Sequence, residues 1–188
     1  MPSFASLKDP KVFHILTYGT LLGSNLFQTF MAGPLAYQAL PRPQFSTLQQ
    51  AIFPPYFTLQ TVLPLFLILT WPGEKLASAG GAVARKGAGY AGVFEEENRW
   101  IALIPIALMC GTSLLNLVAL GPATTKVMKE RKHQETRDGK KYYDAGPKSE
   151  EMQRLNSSFA KLHGAASLAN LIGLGAMFVY GATLAEMM

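Results

Sequence analysis

Charge is what this chain has least of. Asp, Glu, Lys and Arg make up 15% of its 188 residues, against about a quarter in soluble domains. What charge there is gathers in a few segments and leaves long uncharged stretches between them, which excludes an ordinary soluble domain. Within the four apolar runs no Asp, Glu, Lys or Arg occurs before Glu186. Proton relays and ion pathways are built on such intramembrane groups, so a proton-coupled or hard-cation transporter is disfavoured. Cysteine is reduced to Cys110. A single thiol excludes an internal disulfide and leaves the redox compartment unread. Met31, Met109, Cys110 and Met177 are soft donors, but no C-x-x-C or M-x-x-M spacing occurs, so no metal site is assigned. No Ser/His/Asp set and no paired intramembrane carboxylate points to a hydrolase. The run from Val12 is about twice as long as a signal h-region, and no small-residue cleavage site follows one, so the N-terminus does not read as a cleavable signal. No lipidation or retention motif is present.

What the chain does have is apolar length. The expected architecture is all-α, a four-transmembrane-helix bundle forming a single membrane domain over 1–188. Spanning helices are expected at 12–40, 45–71, 100–121 and 162–186, each near or above the roughly 20 residues a span requires. Asp9 as N-cap and Pro10 at the first helical position open the first helix. Gly33-Pro34 predicts a kink, and Leu40-Pro41-Arg42-Pro43 a stop. Pro54, Pro55 and Pro64 predict a short turn over 45–53 and then a kinked second span from about Pro54.

Residues 73–99 read as a Gly/Ala-rich linker. Within it Gly87, Gly89 and Gly92 match G-x-G-x-x-G, but no strand–turn–helix unit surrounds them, so a flexible linker is expected instead of a dinucleotide loop. Trp71 and Trp100 bracket it as aromatic-belt residues would. Ala107/Gly111 and Ala165/Ala169/Gly173 form small-residue faces for close packing, as do Gly19 and Gly23. The charged loop 122–161 is expected to carry helices three and four beyond the membrane.

An even number of spans puts both termini on one side with the linker. That side holds six basic residues (Lys8, Lys11, Lys75, Arg85, Lys86, Arg99), and the other holds eleven, led by Arg42 and the 126–161 segment. The positive-inside rule then places the loop between helices three and four in the cytosol. The formal net charge of +5 comes mostly from this segment, so it is read as topology and lipid contact and not as nucleic-acid binding.

Polar residues inside the spans define the candidate sites. Asn25, Gln28, Gln60, Thr112, Asn116, Ser167 and Asn170 form a midplane set to which every span contributes. They serve either as interhelical hydrogen bonds, worth about 0.6 kcal/mol each on average, or as a polar pocket. Arg42, Gln49, Gln50, Tyr56 and His163 are expected together at the cytosolic face, able to receive an anionic headgroup or a partner. His14 lies at the opposite face, roughly 20 Å from His163 for a core about 30 Å thick. The two cannot ligate one haem or one metal together. His133 sits among charged loop residues and reads as solvated.

Several of these positions also carry a family likeness. His14, Thr29-Phe30-x-x-Gly33, Leu40-Pro41-Arg42-x-x-Phe45, Gln49 or Gln50 with Phe53-Pro54-x-Tyr56-Phe57, Asn116, Pro122-x-Thr124 and Phe159-x-x-x-His163-Gly164-x-x-Ser167-Leu168-x-Asn170-Leu171 occur in order. In these the chain resembles the eukaryotic transmembrane protein 205-like family, four-helix membrane proteins of uncharacterised function, although its linker is longer than that pattern leads one to expect. The likeness implies a multi-pass protein of a eukaryotic endomembrane, the endoplasmic reticulum ahead of a mitochondrial membrane.

A more distant likeness, confined to the first helix, is to copper-resistance D-like proteins and membrane-bound protoporphyrinogen oxidases. Some of these bind b-type haem through a histidine, which implies His14 as an axial ligand of haem b. The leading functional reading is a non-enzymatic interaction, accessory or small-solute-handling protein. Its partners would be the lipid bilayer and other membrane helices or a membrane complex. The alternatives are a haem-binding redox protein and a lipid or drug carrier using the midplane amides.

Overall fold

The computed structural model describes residues 9–76 and 84–187, with side chains described outside 74–76 and 84–86. Lys8 and the middle of the expected linker, 77–83, lie outside the described residues.

The first helix starts where its capping chemistry predicts. Asp9 is extended (φ −68°, ψ 126°), its carboxylate accepts the Lys11 N–H at 3.0 Å, and Pro10 is the first residue of α1 (Pro10–Leu26). The helix continues through a π-helical turn, Phe27–Ala32, into α2 (Gly33–Ala39), and ends at the extended Leu40 before Pro41. α3 (Arg42–Leu69) is one continuous helix in spite of Pro54, Pro55 and Pro64. The separate short turn expected over 45–53 is therefore not found.

Three of the prolines act differently. Phe27–Ala32, Arg99–Leu103 and Asn116–Leu120 are π-helical turns, and each is followed by a helix whose second residue is proline: Pro34, Pro105 and Pro122. In each case the residue before the proline donates its N–H five positions back: Gly33 to Gln28, Ile104 to Arg99, Gly121 to Asn116. Proline has no N–H to offer, and its ring crowds the carbonyl four residues back. One extra residue in the preceding turn relieves both problems without ending the helix.

α5 (Ile104–Leu115) and α6 (Gly121–Asp138) join through the third of these turns, and Gly139 closes α6 in the left-handed conformation (φ 62°). α7 (Glu150–Met187) completes the chain. Among the described residues three helical stretches are long and apolar enough to cross a membrane: Arg42–Leu69, Glu96–Asp138 and Glu150–Met187. The second and third contain 43 and 38 residues. At 1.5 Å per residue these are roughly 65 and 57 Å, well beyond a hydrocarbon core of about 30 Å. The stretch Pro10–Ala39 is not among the three, because His14, Asn25 and Gln28 dilute its apolar character. It packs against the bundle nevertheless: α1 lies on α3 and α7, α5 lies between α3 and α7, and α6 runs along α7.

The segment expected as a flexible linker is ordered in its described part. Strands β1 (Glu74–Leu76) and β2 (Ala84–Lys86) pair antiparallel, with Glu74 opposite Lys86. Gly89 then donates to the Trp71 carbonyl at 2.9 Å. α4 (Tyr90–Val93) and a 3₁₀ turn, Glu96–Asn98, follow. Val93 is fully buried in the main apolar core with Leu21, Leu67 and Ile106, and Asn98 Nδ2 donates to the Gly92 carbonyl at 2.8 Å. The three glycines of the G-x-G-x-x-G pattern serve this packing. Gly87 and Gly89 have φ of 66° and 81°, and a Cβ on Gly92 would overlap the Gly87 carbonyl.

The belt expectation fails for one tryptophan. Trp100 is 73% exposed, but Trp71 is 1% exposed and belongs to the core.

Candidate functional site

α7 carries three polar levels, at Tyr180, Asn170 and Phe159. They are about 15 and 16 Å apart along a helix rising 1.5 Å per residue. Each level draws in side chains from different helices.

At the first level His14, 1% exposed, is held by both ring nitrogens. Nδ1 lies 2.9 Å from Thr70 Oγ1 and Nε2 lies 2.8 Å from the Tyr180 hydroxyl. Thr70 Oγ1 already donates to the Phe66 carbonyl at 2.7 Å, so it accepts from His14 Nδ1–H. Nε2 is then the acceptor for Tyr180 O–H. The ring meets Trp71 edge-on at 6.3 Å, and Tyr18 packs on Tyr180 at 5.9 Å. Tyr18 crosses α7 at Gly181, where a Cβ would overlap its hydroxyl, and that hydroxyl donates to the Met177 carbonyl at 3.0 Å.

An axial haem ligand needs a ring nitrogen with a free lone pair. Here Nδ1 carries the proton and the Nε2 lone pair is taken, so these residues do not fit haem ligation and no redox step follows from them. His14 and His163 belong to different levels. Tyr180, the partner of His14, is about 25 Å along α7 from His163 at 1.5 Å per residue.

At the second level the amides assemble. Asn25 Nδ2 is 3.4 Å from Gln60 Oε1 and 3.3 Å from Asn170 Oδ1. Asn170 Nδ2 donates to Thr29 Oγ1 at 2.9 Å, and Thr29 donates to Asn25 Oδ1 at 3.2 Å. Gln60 Nε2 donates to Ser24 Oγ at 2.8 Å and to the Leu21 carbonyl at 3.2 Å. The Tyr56 hydroxyl donates to Asn170 Oδ1 at 3.0 Å. Tyr56 was expected at the cytosolic surface; it belongs here. Ser24 and Thr29 were missed, although both lie one turn from Asn25 or Gln28 on the same helix.

The rest of the midplane set does not join. Asn116 is fully buried alone, donating to the Ala166 carbonyl at 3.1 Å with its Oδ1 unpartnered. Thr112 donates back to the Leu108 carbonyl at 2.7 Å and lies against Gly173. Ser167 is exposed. Gln28 is half-buried and makes no side-chain hydrogen bond among the described residues. It lines a groove of about 420 Å³ between the first helical run and α3, walled by Phe27, Ala51, Ile52, Pro55 and Leu59, with Ser24 and Tyr56 at its polar side.

At the third level the expected surface set separates. Gln50 Nε2 donates to Ser46 at 3.2 Å, and Gln49 is buried with Oε1 unpartnered. His163 is exposed and stacks on Phe159 with centroids 5.6 Å apart. Arg42 lies over the Tyr37 ring at 3.5 Å. The organising residue, which sequence reading passed over as one loop cation among many, is Arg131. It is 8% exposed, 3.8 Å from the Tyr142 centroid and 4.6 Å from that of Phe159. Burial pushes the Tyr142 phenol up from its ordinary value, against the opposing pull of the Arg131 and Arg42 guanidinia. Among the described residues no group of His, Cys, Asp or Glu is arranged to hold a metal ion.

Against known proteins, residues 16–133 match the family model described as Domain of unknown function (DUF4149). A curated relative, the Xanthocillin biosynthesis cluster protein D of Aspergillus fumigatus, is 42% identical over 66 residues. That match spans 35% of this chain and 42% of the relative's length. No solved structure matches the chain.

Proposed function

The chain belongs to the DUF4149 family, and we propose that it is a non-enzymatic, multi-pass accessory protein that docks the transmembrane helix of a partner along α1. The observation that carries this reading is an unused face. Gly19 and Gly23 are spaced by four, both are exposed, and a Cβ on either would meet nothing within 4 Å. Small residues at that spacing let a second helix approach closely in a bilayer. The face runs on into the groove bordered by Phe27 and Gln28, whose free amide supplies an interhelical hydrogen bond. Asn25, Gln60 and Asn170 are spent on one another and hold the bundle together. In this reading Pro10–Ala39 is a fourth span, with the 139–149 loop cytosolic and the protein in a eukaryotic endomembrane.

The motif positions support transmembrane protein 205-like membership as well, since Tyr56 and Asn170, from two separate motifs, share a hydrogen bond. A second reading draws on the relative's name. That name places the relative in a biosynthesis cluster, and the same groove, apolar with Gln28 and Ser24 at one edge, would take a small apolar solute with one polar group.

A photo-crosslinker at position 27 separates the two. A discrete protein adduct, lost in Gly19→Ile/Gly23→Ile and kept in Gly111→Ile, is the expected result. Adducts with lipid alone would overturn docking, and a small-molecule adduct would favour the second reading.

A further inference from the structure

We propose that the Arg131–Arg42 end of the bundle binds a phosphate group, presented on the headgroup of an anionic lipid or as free phosphate. Buried guanidinium groups are normally paired. Arg131 is more than nine-tenths buried, its Nε has no partner, and among the described residues no ion pair joins it to a carboxylate. Glu135, one turn further along α6, is committed elsewhere: one oxygen accepts the Tyr142 N–H at 3.0 Å and the other lies 3.6 Å from Lys141 Nζ.

The guanidinium lies against the faces of Tyr142 and Phe159. A guanidinium held on aromatic rings can offer two parallel N–H bonds to an oxyanion, which lysine cannot, and the Arg131 Nε–H has no partner. A second guanidinium stands nearby. Arg42, at the first turn of α3, is anchored on the Tyr37 ring, and Tyr142 lies in the field of both arginines. Two cations held on aromatic rings with one opposing carboxylate, where α3 begins and α6 runs beside α7, make a positive site, and no ion pair joins either cation to a carboxylate among the described residues. Such a site selects a dianionic phosphate monoester over a zwitterionic headgroup.

The test uses the full chain in detergent, with phosphatidic acid, phosphatidylcholine and inorganic phosphate as probes read by native mass spectrometry. Phosphatidic acid is expected to bind about tenfold more tightly than phosphatidylcholine, a difference of about 1.4 kcal/mol. Arg131→Lys and Arg42→Gln should each remove most of that preference, while Lys132→Gln, an exposed neighbour, should keep it. Arg131→Gln is the stronger variant. If it fails to fold, Arg131→Lys and Arg42→Gln decide. Displacement of phosphatidic acid by inorganic phosphate assigns the site to free phosphate, and its retention assigns it to the lipid. Equal binding of the two lipids, or a loss in Lys132→Gln as large as in Arg131→Lys, overturns the proposal.

Discussion

The Tyr180 hydroxyl donates to His14 Nε2 at 2.8 Å across 166 positions of sequence, joining the two ends of the chain inside the bundle. The bond belongs to a directional series: Tyr180 to His14, His14 to Thr70, Thr70 to the Phe66 carbonyl. Every donor in it is used once. The series ties α1, the end of α3 and α7 together.

Tyr180→Phe removes the donor and leaves Nε2 buried with no partner. An orphaned buried acceptor costs about 1–3 kcal/mol, so the thermal midpoint in detergent should drop. His14→Phe/Tyr180→Phe removes acceptor and donor together and should cost less than the two single substitutions combined. Equal midpoints for wild type and Tyr180→Phe would show that the bond contributes nothing.

Asn170 is the hub of the second level, accepting from Asn25 and Tyr56 and donating to Thr29. Asn170→Ala should destabilise more than Tyr56→Phe, since it removes three hydrogen bonds instead of one. A double-mutant cycle on the pair should return a coupling of about 0.6 kcal/mol, and at most about 1.7, the range for interhelical bonds in a bilayer. Coupling near zero, measured by reversible unfolding in mixed micelles, would mean that the two side chains do not meet.

How much of this was legible in the sequence follows from the kind of signal each feature leaves. Apolar length gave the long helices, and Asp9-Pro10 gave the first residue of α1, because both are local properties. Asn25, Gln60 and Asn170 were legible as a set because an amide inside an apolar run needs a partner. Their company was not. Tyr56 was expected at the cytosolic face beside a span starting near Pro54, whereas α3 runs unbroken from Arg42 and carries Tyr56 inward. Ser167 was included by composition, although it faces outward three positions from Asn170. Arg131 was hidden for the opposite reason: in a segment crowded with lysine and arginine, only packing against Tyr142 and Phe159 distinguishes the buried cation. Pro34 marked a departure from the regular α-helix, but the π-helical form of that turn depends on which carbonyl the preceding N–H reaches.

The haem alternative makes an optical prediction. With both His14 nitrogens engaged, the purified chain should show no Soret band, and adding haem should give no absorption change that His14→Ala removes. A His14-dependent Soret band would mean that the Tyr180 bond opens to admit iron, and would restore the redox reading.

The last prediction concerns the turn that ends at Gly121. A Cβ at this position would stand 2.7 Å from the Asn116 carbonyl oxygen, the acceptor that the Gly121 N–H reaches by stepping five residues back. Gly121→Ala therefore meets its own helix and must shift the turn. Asn116 opens that turn, and its side chain reaches the Ala166 carbonyl from there, so the shift should also loosen α5 from α7. Gly121 is half-buried, and a loss of about 1–3 kcal/mol is expected for such over-packing. Gly19→Ala is the matched control: it is also helical, but its added Cβ meets nothing within 4 Å. Helix propensity alone then favours alanine by up to about 1 kcal/mol. The two substitutions are chemically identical and should move the thermal midpoint in opposite directions. If both raise it, the turn relaxes to an ordinary α-helix at no cost, and Pro122 does not require the extra residue.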